Sequence, residues 1–197
     1  MAACTPATGH ASQRIEVVAP SAAATTATLT LWSRSGRCWR LAGGPWPARV
    51  GRSGLSAHHR EGDGTTPLGS FRIGATVYGV APDPGTRLAY HRLVCGDWWD
   101  EDPSSAGYNR FRHVRCGTSP PFGGGSEALW QATTAYRDFL VVDYNAARVP
   151  GRGSGIFLHV DTGSATNGCV SVSLPHLDRI LRWLRPGARI SIRLRQR

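Results

Sequence analysis

The chain has 197 residues, of which 41% are hydrophobic, so it can bury one substantial core and does not require a second domain. Its formal net charge is +10, and every basic residue is arginine because the sequence contains no lysine. No apolar run reaches the roughly 18 residues of a membrane-spanning helix, and no basic run carries the interleaved aromatic residues of a nucleic-acid-binding segment. The composition therefore predicts a single domain with no membrane span and no nucleic-acid partner.

The first 14 residues are rich in Ala, Thr and Ser, and we expect them to form a flexible tail before a domain that covers residues 15–197. This stretch has neither the basic start nor the apolar run of about 7 or more residues that marks a signal peptide. The N-terminus by itself leaves the localisation open.

Short segments rich in β-branched and aromatic residues follow, bounded by Gly, Pro, Asn or Asp. In chain order, the predicted strands cover residues 14–19, 27–32, 38–42, 69–79, 87–95, 139–145, 155–160, 169–172 and 189–194. Two helices are predicted between them, one over residues 127–139 capped by Ser126 and one over residues 174–184 capped by Ser173. The predicted fold class is mainly β (α+β), a single-domain sandwich or barrel with about two helices.

The chain contains five cysteines, and this odd number leaves one thiol unpaired within the chain however the others combine. Cys95 and Cys116 flank a polar loop that a disulfide would close, and two small buried side chains are an equally good interpretation. In protein from an oxidising compartment we expect the disulfide. No cysteine pair has the spacing of a zinc site, so no metal is predicted.

His159 and Cys169 stand at the ends of two predicted strands that a loop of small residues connects. Because a thiol has a pKa near ~8.5, an imidazole beside Cys169 would take its proton and produce the nucleophilic thiolate. Gly168 would let a carbonyl group approach, and nearby backbone N–H groups would stabilise a developing oxyanion. The candidate catalytic residues are therefore Cys169, His159 and Gly168, with a buried cysteine beside an incidental histidine as the alternative.

Two sequence blocks resemble the signature of the YkuD-type L,D-transpeptidases, which are bacterial cell-wall enzymes. The first block is His159 followed by Thr166, Asn167, Gly168 and Cys169. The second, REGDGTTPLGSFRIG at residues 60–74, is similar to a hairpin block beside the family's active site. The resemblance extends over about residues 15–197 and implies the fold of an L,D-transpeptidase catalytic domain.

This resemblance implies acyl transfer on the stem peptides of peptidoglycan without a cofactor. Cys169 would attack the carbonyl group that precedes the D-residue at position four, and His159 would act first as base and then as acid. We expect a backbone carbonyl or a hydroxyl group to fix the tautomer of His159. Such a protein works outside the cytoplasm, in the cell wall or secreted, and we expect it to be a monomer.

The candidate substrate-binding residues are Thr166, Asn167, Ser171 and Tyr108. Asn167 stands where many family members have histidine, which leaves His159 as the one predicted base. Ser171 stands where many have Asn or Arg, so recognition of a substrate carboxylate is left to arginines elsewhere in the chain. Tyr108 belongs to an aromatic loop that would either line a groove or cover the core.

Two other functions stay open at this point. A sortase also places histidine before a catalytic cysteine, usually much further away and with an essential arginine after it. A basic β domain with aromatic residues could instead bind an anionic wall polymer without catalysis. The acidic stretch of Asp97, Asp100, Glu101 and Asp102 is interpreted as a solvated loop, with a cation site as the alternative. No role is assigned to the histidines His58, His59, His91 and His113.

Overall fold

The computed structural model describes residues 5–6 and 10–196 of the chain. Its α-helix is α1 (Leu174–Trp183), and a short 3₁₀ helix covers Ala135–Arg137. The strands, in chain order, are β1 (Thr5–Pro6), β2 (Gln13–Ala19), β3 (Thr26–Ser35), β4 (Cys38–Arg49), β5 (Leu55–Ser56), β6 (Thr66–Pro67), β7 (Gly69–Gly79), β8 (Ala89–Arg92), β9 (Asp97–Asp100), β10 (Arg110–His113), β11 (Glu127–Ala128), β12 (Phe139–Val142), β13 (Phe157–Val160), β14 (Val170–Val172) and β15 (Arg189–Leu194).

Eight strands form a closed ring within the described residues. Hydrogen bonds connect them in the order β4, β14, β13, β12, β7, β15, β2 and β3, and the pairing of β3 with β4 closes the circle. Neighbours are mostly antiparallel, whereas β13 with β14 and β2 with β15 are parallel. The prediction of a mainly β single domain is confirmed, and its architecture is that of a barrel.

The interior of the barrel is filled by side chains that alternate along the strands. On β2, Ile15, Val17 and Ala19 are fully buried and the residues between them are partly exposed, as expected for a strand with one face on a core. The helix α1 adds Leu177 and Ile180 to the same core. The barrel and the helix therefore share one continuous apolar interior.

The helix α1 confirms the second predicted helix. It begins after Ser173, whose hydroxyl group contacts Nδ1 of His176 at 2.8 Å and does not cap a backbone N–H group. Pro175 lies in the first turn, where the missing N–H group of proline removes no helical hydrogen bond. In the part of the chain that the structure describes, no helix has both the length and the apolar character needed to cross a membrane.

The first predicted helix, over residues 127–139, is wrong. Glu127–Ala128 form β11 against β9, and Ala135–Arg137 form a single 3₁₀ turn. The Ser126 hydroxyl donates to the carbonyl oxygen of Gly123 at 2.6 Å and does not cap a helix. Pairing with β9 and burial of aromatic residues against β13 outweigh the local helical pattern, because tertiary contacts routinely override propensity.

A second layer, which we call the cover and which consists of residues 93–136, lies over the outer face of strands β12 to β14. It contains the small sheet of β10, β9 and β11. The Cys95–Cys116 disulfide is present, which confirms the predicted bond. Trp99 of the cover packs edge-on against Phe157 of β13, with ring centroids 5.2 Å apart. The cover and the barrel wall thus enclose a second apolar cluster, to which Cys169 belongs.

The acidic stretch of the cover is not a solvated loop. Asp97 and Asp100 are fully buried. Asp97 lies between the imidazole of His91 at 2.8 Å and that of His113 at 2.7 Å, and Asp100 accepts a hydrogen bond from the hydroxyl of Ser105 at 2.6 Å. A carboxylate is tolerated in an apolar layer only with such partners, so these bonds allow β9 to be buried. The interpretation is wrong for both aspartates.

The boundary of the N-terminal tail at residue 14 stays a prediction. Within the described residues, β1 pairs with β4 and β2 begins at Gln13. The other predicted tail positions, 1–4 and 7–9, lie outside the described residues.

Candidate active site

Cys169 stands directly before β14, where the barrel wall meets the cover. β14 runs parallel to β13 with His159 opposite Ser171, and this register puts Phe157 opposite Cys169. Side chains two residues apart share one face of a strand. Cys169 and His159 therefore project from the same face of the barrel wall, toward the cover.

The thiol of Cys169 is buried and is the free cysteine of the described residues. Its Sγ accepts a hydrogen bond from the N–H group of Phe157 and donates one to the carbonyl oxygen of Gly155, both at 3.3 Å. Burial raises the pKa of this thiol above its ordinary value, and the negative charge of Glu127 acts in the same direction. Cys169 is therefore a protonated thiol at rest, and it would need a base to react as a nucleophile.

His159 is buried beside the ring of Tyr136, whose centroid lies 5.9 Å away in an edge-on geometry. Its Nδ1 lies 2.8 Å from the carbonyl oxygen of Val160, which confirms the expected carbonyl partner. Because a carbonyl group only accepts hydrogen bonds, Nδ1 carries the proton and Nε2 is left as the proton acceptor. Burial lowers the pKa of His159, so the ring is neutral near neutral pH. Among the described residues, no hydrogen bond joins this ring to Sγ of Cys169 in the resting geometry.

Threonine hydroxyl groups hold residues 166–168, which we call the nucleophile turn because they precede the candidate nucleophile Cys169. Oγ1 of Thr166 accepts from the N–H group of Gly168 at 3.1 Å and donates to the carbonyl oxygen of Cys169 at 2.6 Å. Thr66, from the sequence block of residues 60–74, which we call the upstream block, donates to the same oxygen at 3.3 Å. Gly168 has a φ of +142°, and a Cβ atom there would lie 3.0 Å from the carbonyl oxygen of Thr65. Thr166 and Gly168 therefore shape the turn that presents Cys169.

A cavity of about 350 Å³ borders the thiol. Three carboxyl groups and one guanidinium group line it, so carboxyl groups outnumber guanidinium groups in the cavity although the whole chain carries a charge of +10. Such a lining favours a neutral or cationic group over most of the cavity. Its ionisable lining residues are Arg52, His59, Glu61, Glu101, Glu127 and Cys169.

The four predicted substrate-binding residues occupy different places. Asn167 lines the cavity, and Thr166 lies in the turn described above. Tyr108 is buried, and its hydroxyl group donates to the carboxylate of the lining residue Glu61. The buried Ser171 directs its hydroxyl group to a carboxylate 3.5 Å away, outside the cavity lining. The binding roles of these four residues stay predictions.

His59, to which the sequence pattern assigned no role, lies in the cavity wall. It is buried, and its Nδ1 lies 3.0 Å from Oδ1 of Asp63 and 3.1 Å from Oγ1 of Thr65. Burial lowers the pKa of His59, while the charge of Asp63 acts in the opposite direction. A Cβ atom at Gly168 would lie 3.5 Å from its Cε1, so the ring packs against the nucleophile turn. In the sequence, the one feature that could have indicated a place for His59 in the site is its position directly before the upstream block.

Glu101 and Glu127 of the cover also line the cavity and were not expected there. Burial raises the pKa of Glu101 to about 9, and the charges of Glu127 and Glu61 add to the effect. Burial likewise raises the pKa of Glu127, which accepts a hydrogen bond from the hydroxyl group of Tyr136. Local sequence could not identify this pair, because one residue falls in a predicted loop and the other in a predicted helix.

The fold can be compared with known proteins. No curated protein matches the sequence. Among solved structures, the chain is similar to the crystal structure of the helical cell shape determining protein Pgp2 from Campylobacter jejuni, with 11% sequence identity and a TM-score of 0.49. The alignment covers 98% of this chain and 51% of that chain, so the chain spans about half the length of that protein.

The family model that describes the L,D-transpeptidase catalytic domain matches residues 23–192. The matched range includes the upstream block, His159, Cys169 and the cover. The chain therefore belongs to the YkuD family of L,D-transpeptidase catalytic domains.

Proposed function

We propose that this domain is a peptidoglycan L,D-transpeptidase with Cys169 as its nucleophile. The observation that carries the proposal is a free thiol in the wall of a cavity, with the imidazole of His159 on the same face of the neighbouring strand. Family membership supplies the reaction class. The substrate is the stem peptide of peptidoglycan, cleaved between the residue at position three and the D-residue at position four.

In the first half-reaction, Nε2 of His159 accepts the thiol proton as Sγ of Cys169 leaves its hydrogen bond to Gly155. The thiolate attacks the carbonyl carbon of the residue at position three and forms a tetrahedral oxyanion. The oxyanion collapses, the amide bond breaks and His159 returns the proton to the leaving amine. The products are a thioester on Cys169 and a free D-amino acid.

In the second half-reaction, an amine of another stem attacks the thioester carbonyl. His159 takes a proton from the attacking amine and delivers it to the departing thiolate of Cys169, which restores the resting thiol. Attack by water in place of the amine gives L,D-carboxypeptidase activity. The neutral resting state of His159 suits both steps, because each begins with proton removal.

This function places the protein outside the cytoplasm, in the cell wall or secreted. The Cys95–Cys116 disulfide supports that location because disulfides persist in oxidising compartments. We also propose that the catalytic unit acts as a monomer.

The test uses two acyl donors with the folded, disulfide-bonded protein. A tetrapeptide stem should release its fourth residue, and a carbapenem, whose strained ring opens on attack by a thiolate, should add the mass of one molecule to Cys169. The matched control is Cys169→Ser, which keeps the size of the side chain and should show neither reaction.

The alternatives give different results. Binding to cell-wall polymer without release or adduct would favour a non-catalytic wall-binding module. An adduct on a different cysteine would reject Cys169 as the nucleophile. Family membership already argues against a sortase-type enzyme.

A further inference from the structure

The proposed donor substrate carries a carboxylate next to the bond that breaks, and this inference rests on that proposed function. In a tetrapeptide stem, the D-residue at position four is C-terminal, so its carboxylate is attached to the same carbon atom as the scissile amide nitrogen. The carboxyl groups of Glu61 and Glu127 make their side of the cavity unfavourable for such a group, and Glu101, whose pKa burial raises to about 9, offers it no positive charge. The substrate carboxylate therefore requires a cation at another place in the cavity wall.

Arg52 is the one arginine among the described residues that line the cavity. Its side chain is exposed, and in the described part of the chain it forms no salt bridge with an acidic residue. A guanidinium group has five N–H donors, and Nη1 of Arg52 donates to Oδ1 of Asn167. Further donors of the same group remain for a carboxylate, which arginine binds through two parallel hydrogen bonds.

The nucleophile turn holds Arg52 in place. The backbone N–H group of Arg52 donates to the carbonyl oxygen of Thr166 at 2.7 Å, and its side chain is bonded to Asn167. The side chain also lies over Gly64, where a Cβ atom would come within 3.1 Å of Cγ and Cζ of Arg52. The backbone and the side chain of Arg52 are thus both hydrogen-bonded to the nucleophile turn.

No other described residue near the thiol is placed for this task. Ser171 directs its hydroxyl group to Asp161, and Arg49 is paired with the same carboxylate at 3.1 Å. His59 has its Nδ1 engaged by Asp63, and burial lowers its pKa, so it presents no positive charge near neutral pH.

We propose that Arg52 binds the C-terminal carboxylate of the donor stem and that Asn167 is a positioning residue for its guanidinium group. Arg52 then determines specificity for donors that end at position four with a free carboxylate. The same contact turns the scissile carbonyl group toward Sγ of Cys169, because the carboxylate and the amide nitrogen share one carbon atom.

The experiment compares two synthetic tetrapeptide donors that differ only in a C-terminal carboxylate or carboxamide. For the wild type, we expect kcat/KM for release of the fourth residue to be on the order of 10- to 100-fold higher with the carboxylate. In Arg52→Ala, kcat/KM should fall for the carboxylate donor and stay unchanged for the carboxamide donor, so that their ratio becomes about 1. Arg52→Lys and Asn167→Ala should give intermediate ratios. The control Arg60→Ala, an exposed arginine outside the cavity lining, should keep the wild-type ratio.

A second measurement does not depend on turnover. In the Cys169→Ala background, calorimetry should show tighter binding of the carboxylate peptide, and adding Arg52→Ala should remove the difference in Kd. A preference that survives Arg52→Ala overturns the proposal. An equal loss with both donors also overturns it, because it indicates a structural role. Absence of release from both donors by the wild type would contradict the proposed function, and the comparison of Kd values would still decide the role of Arg52.

Discussion

The two walls of the Cys169 site come from different parts of the fold and have opposite character. The first, which we call the aromatic wall, consists of Phe157, His159 and Tyr136, all buried between the barrel and the cover. The second, the charged wall, is formed by the segment before the upstream block, by the start of that block and by the cover. It consists of the ionisable cavity residues Arg52, His59, Glu61, Glu101 and Glu127.

The difference between the walls indicates a division of tasks. The aromatic wall excludes water and keeps the ring of His159 neutral, with a fixed tautomer. The charged wall opposes ionisation of Cys169, because the charge of Glu127 adds to the effect of burial on the thiol pKa. A thiol that both walls keep protonated depends strongly on its base, so the proton acceptor is expected to be the most sensitive position after Cys169 itself.

Replacement of His159 should therefore have the largest effect. We expect His159→Ala to lower kcat for stem-peptide cleavage by about 10²- to 10⁴-fold, as removal of a general acid and base usually does. The matched variant is His59→Ala, which removes the imidazole of the charged wall and should cause a much smaller loss. Release of the fourth residue measures activity, and circular dichroism checks the fold. Equal losses from two folded variants would contradict the assignment of His159 as the one base.

Opening the Cys95–Cys116 disulfide should loosen the charged wall while the barrel stays intact. The bond joins residues 21 positions apart, and the loop between them carries Glu101. For the double variant Cys95→Ser/Cys116→Ser we expect the free energy of unfolding to fall by about 3 kcal/mol, from the entropy of the opened loop in the unfolded chain. Urea denaturation measures this change. An unchanged free energy of unfolding would show that the disulfide does not stabilise the folded protein.

The aromatic wall could be predicted from sequence more fully than the charged wall. His159 and Cys169 end two predicted strands, and strand alternation is a local pattern that survives in the fold. Glu127 was predicted on a helix, because its pairing with Trp99 is a non-local contact that no periodicity encodes. Closure of the barrel also depends on a non-local contact, the pairing of β3 with β4. The pattern of strands in the sequence therefore could not decide between a sandwich and a barrel.

Removal of one charge from the charged wall should make the thiol more reactive. Burial and then Glu127 raise the pKa of Cys169, so Glu127→Gln should lower it and increase the thiolate fraction at a given pH. We expect alkylation by iodoacetamide to be about 3- to 10-fold faster near pH 7, with the pH–rate curve moved to lower pH. Glutamine keeps an acceptor for the hydroxyl group of Tyr136. The control Glu16→Gln, on β2 and outside the cavity lining, should be alkylated at the wild-type rate. If the pH–rate curve of Glu127→Gln coincides with that of the wild type, the charge of Glu127 does not raise the pKa of Cys169.

The smallest expected effect concerns stability and comes from Glu101. Burial first, and then the charges of Glu127, Glu61 and Asp100, raise its pKa from 4.5 to about 9 in the folded protein. The folded state therefore keeps a proton that the unfolded chain releases, so this contribution to stability is complete below pH 4.5 and is lost as pH rises toward 9. Glu101→Gln removes the titration and should raise Tm by about 2–4 °C near pH 8, with little gain near pH 4.

Differential scanning fluorimetry across this pH range measures the effect. A gain of equal size at every pH would indicate altered packing and not titration. Absence of a gain near pH 8 would mean that Glu101 is ionised in the folded protein, so that the charged wall carries one more negative charge beside the thiol. In that case Glu101→Gln should also accelerate alkylation of Cys169, as Glu127→Gln is expected to do. If the carboxyl group of Glu101 is instead neutral at that pH, its charge cannot raise the pKa of Cys169, and Glu101→Gln should leave the alkylation rate unchanged.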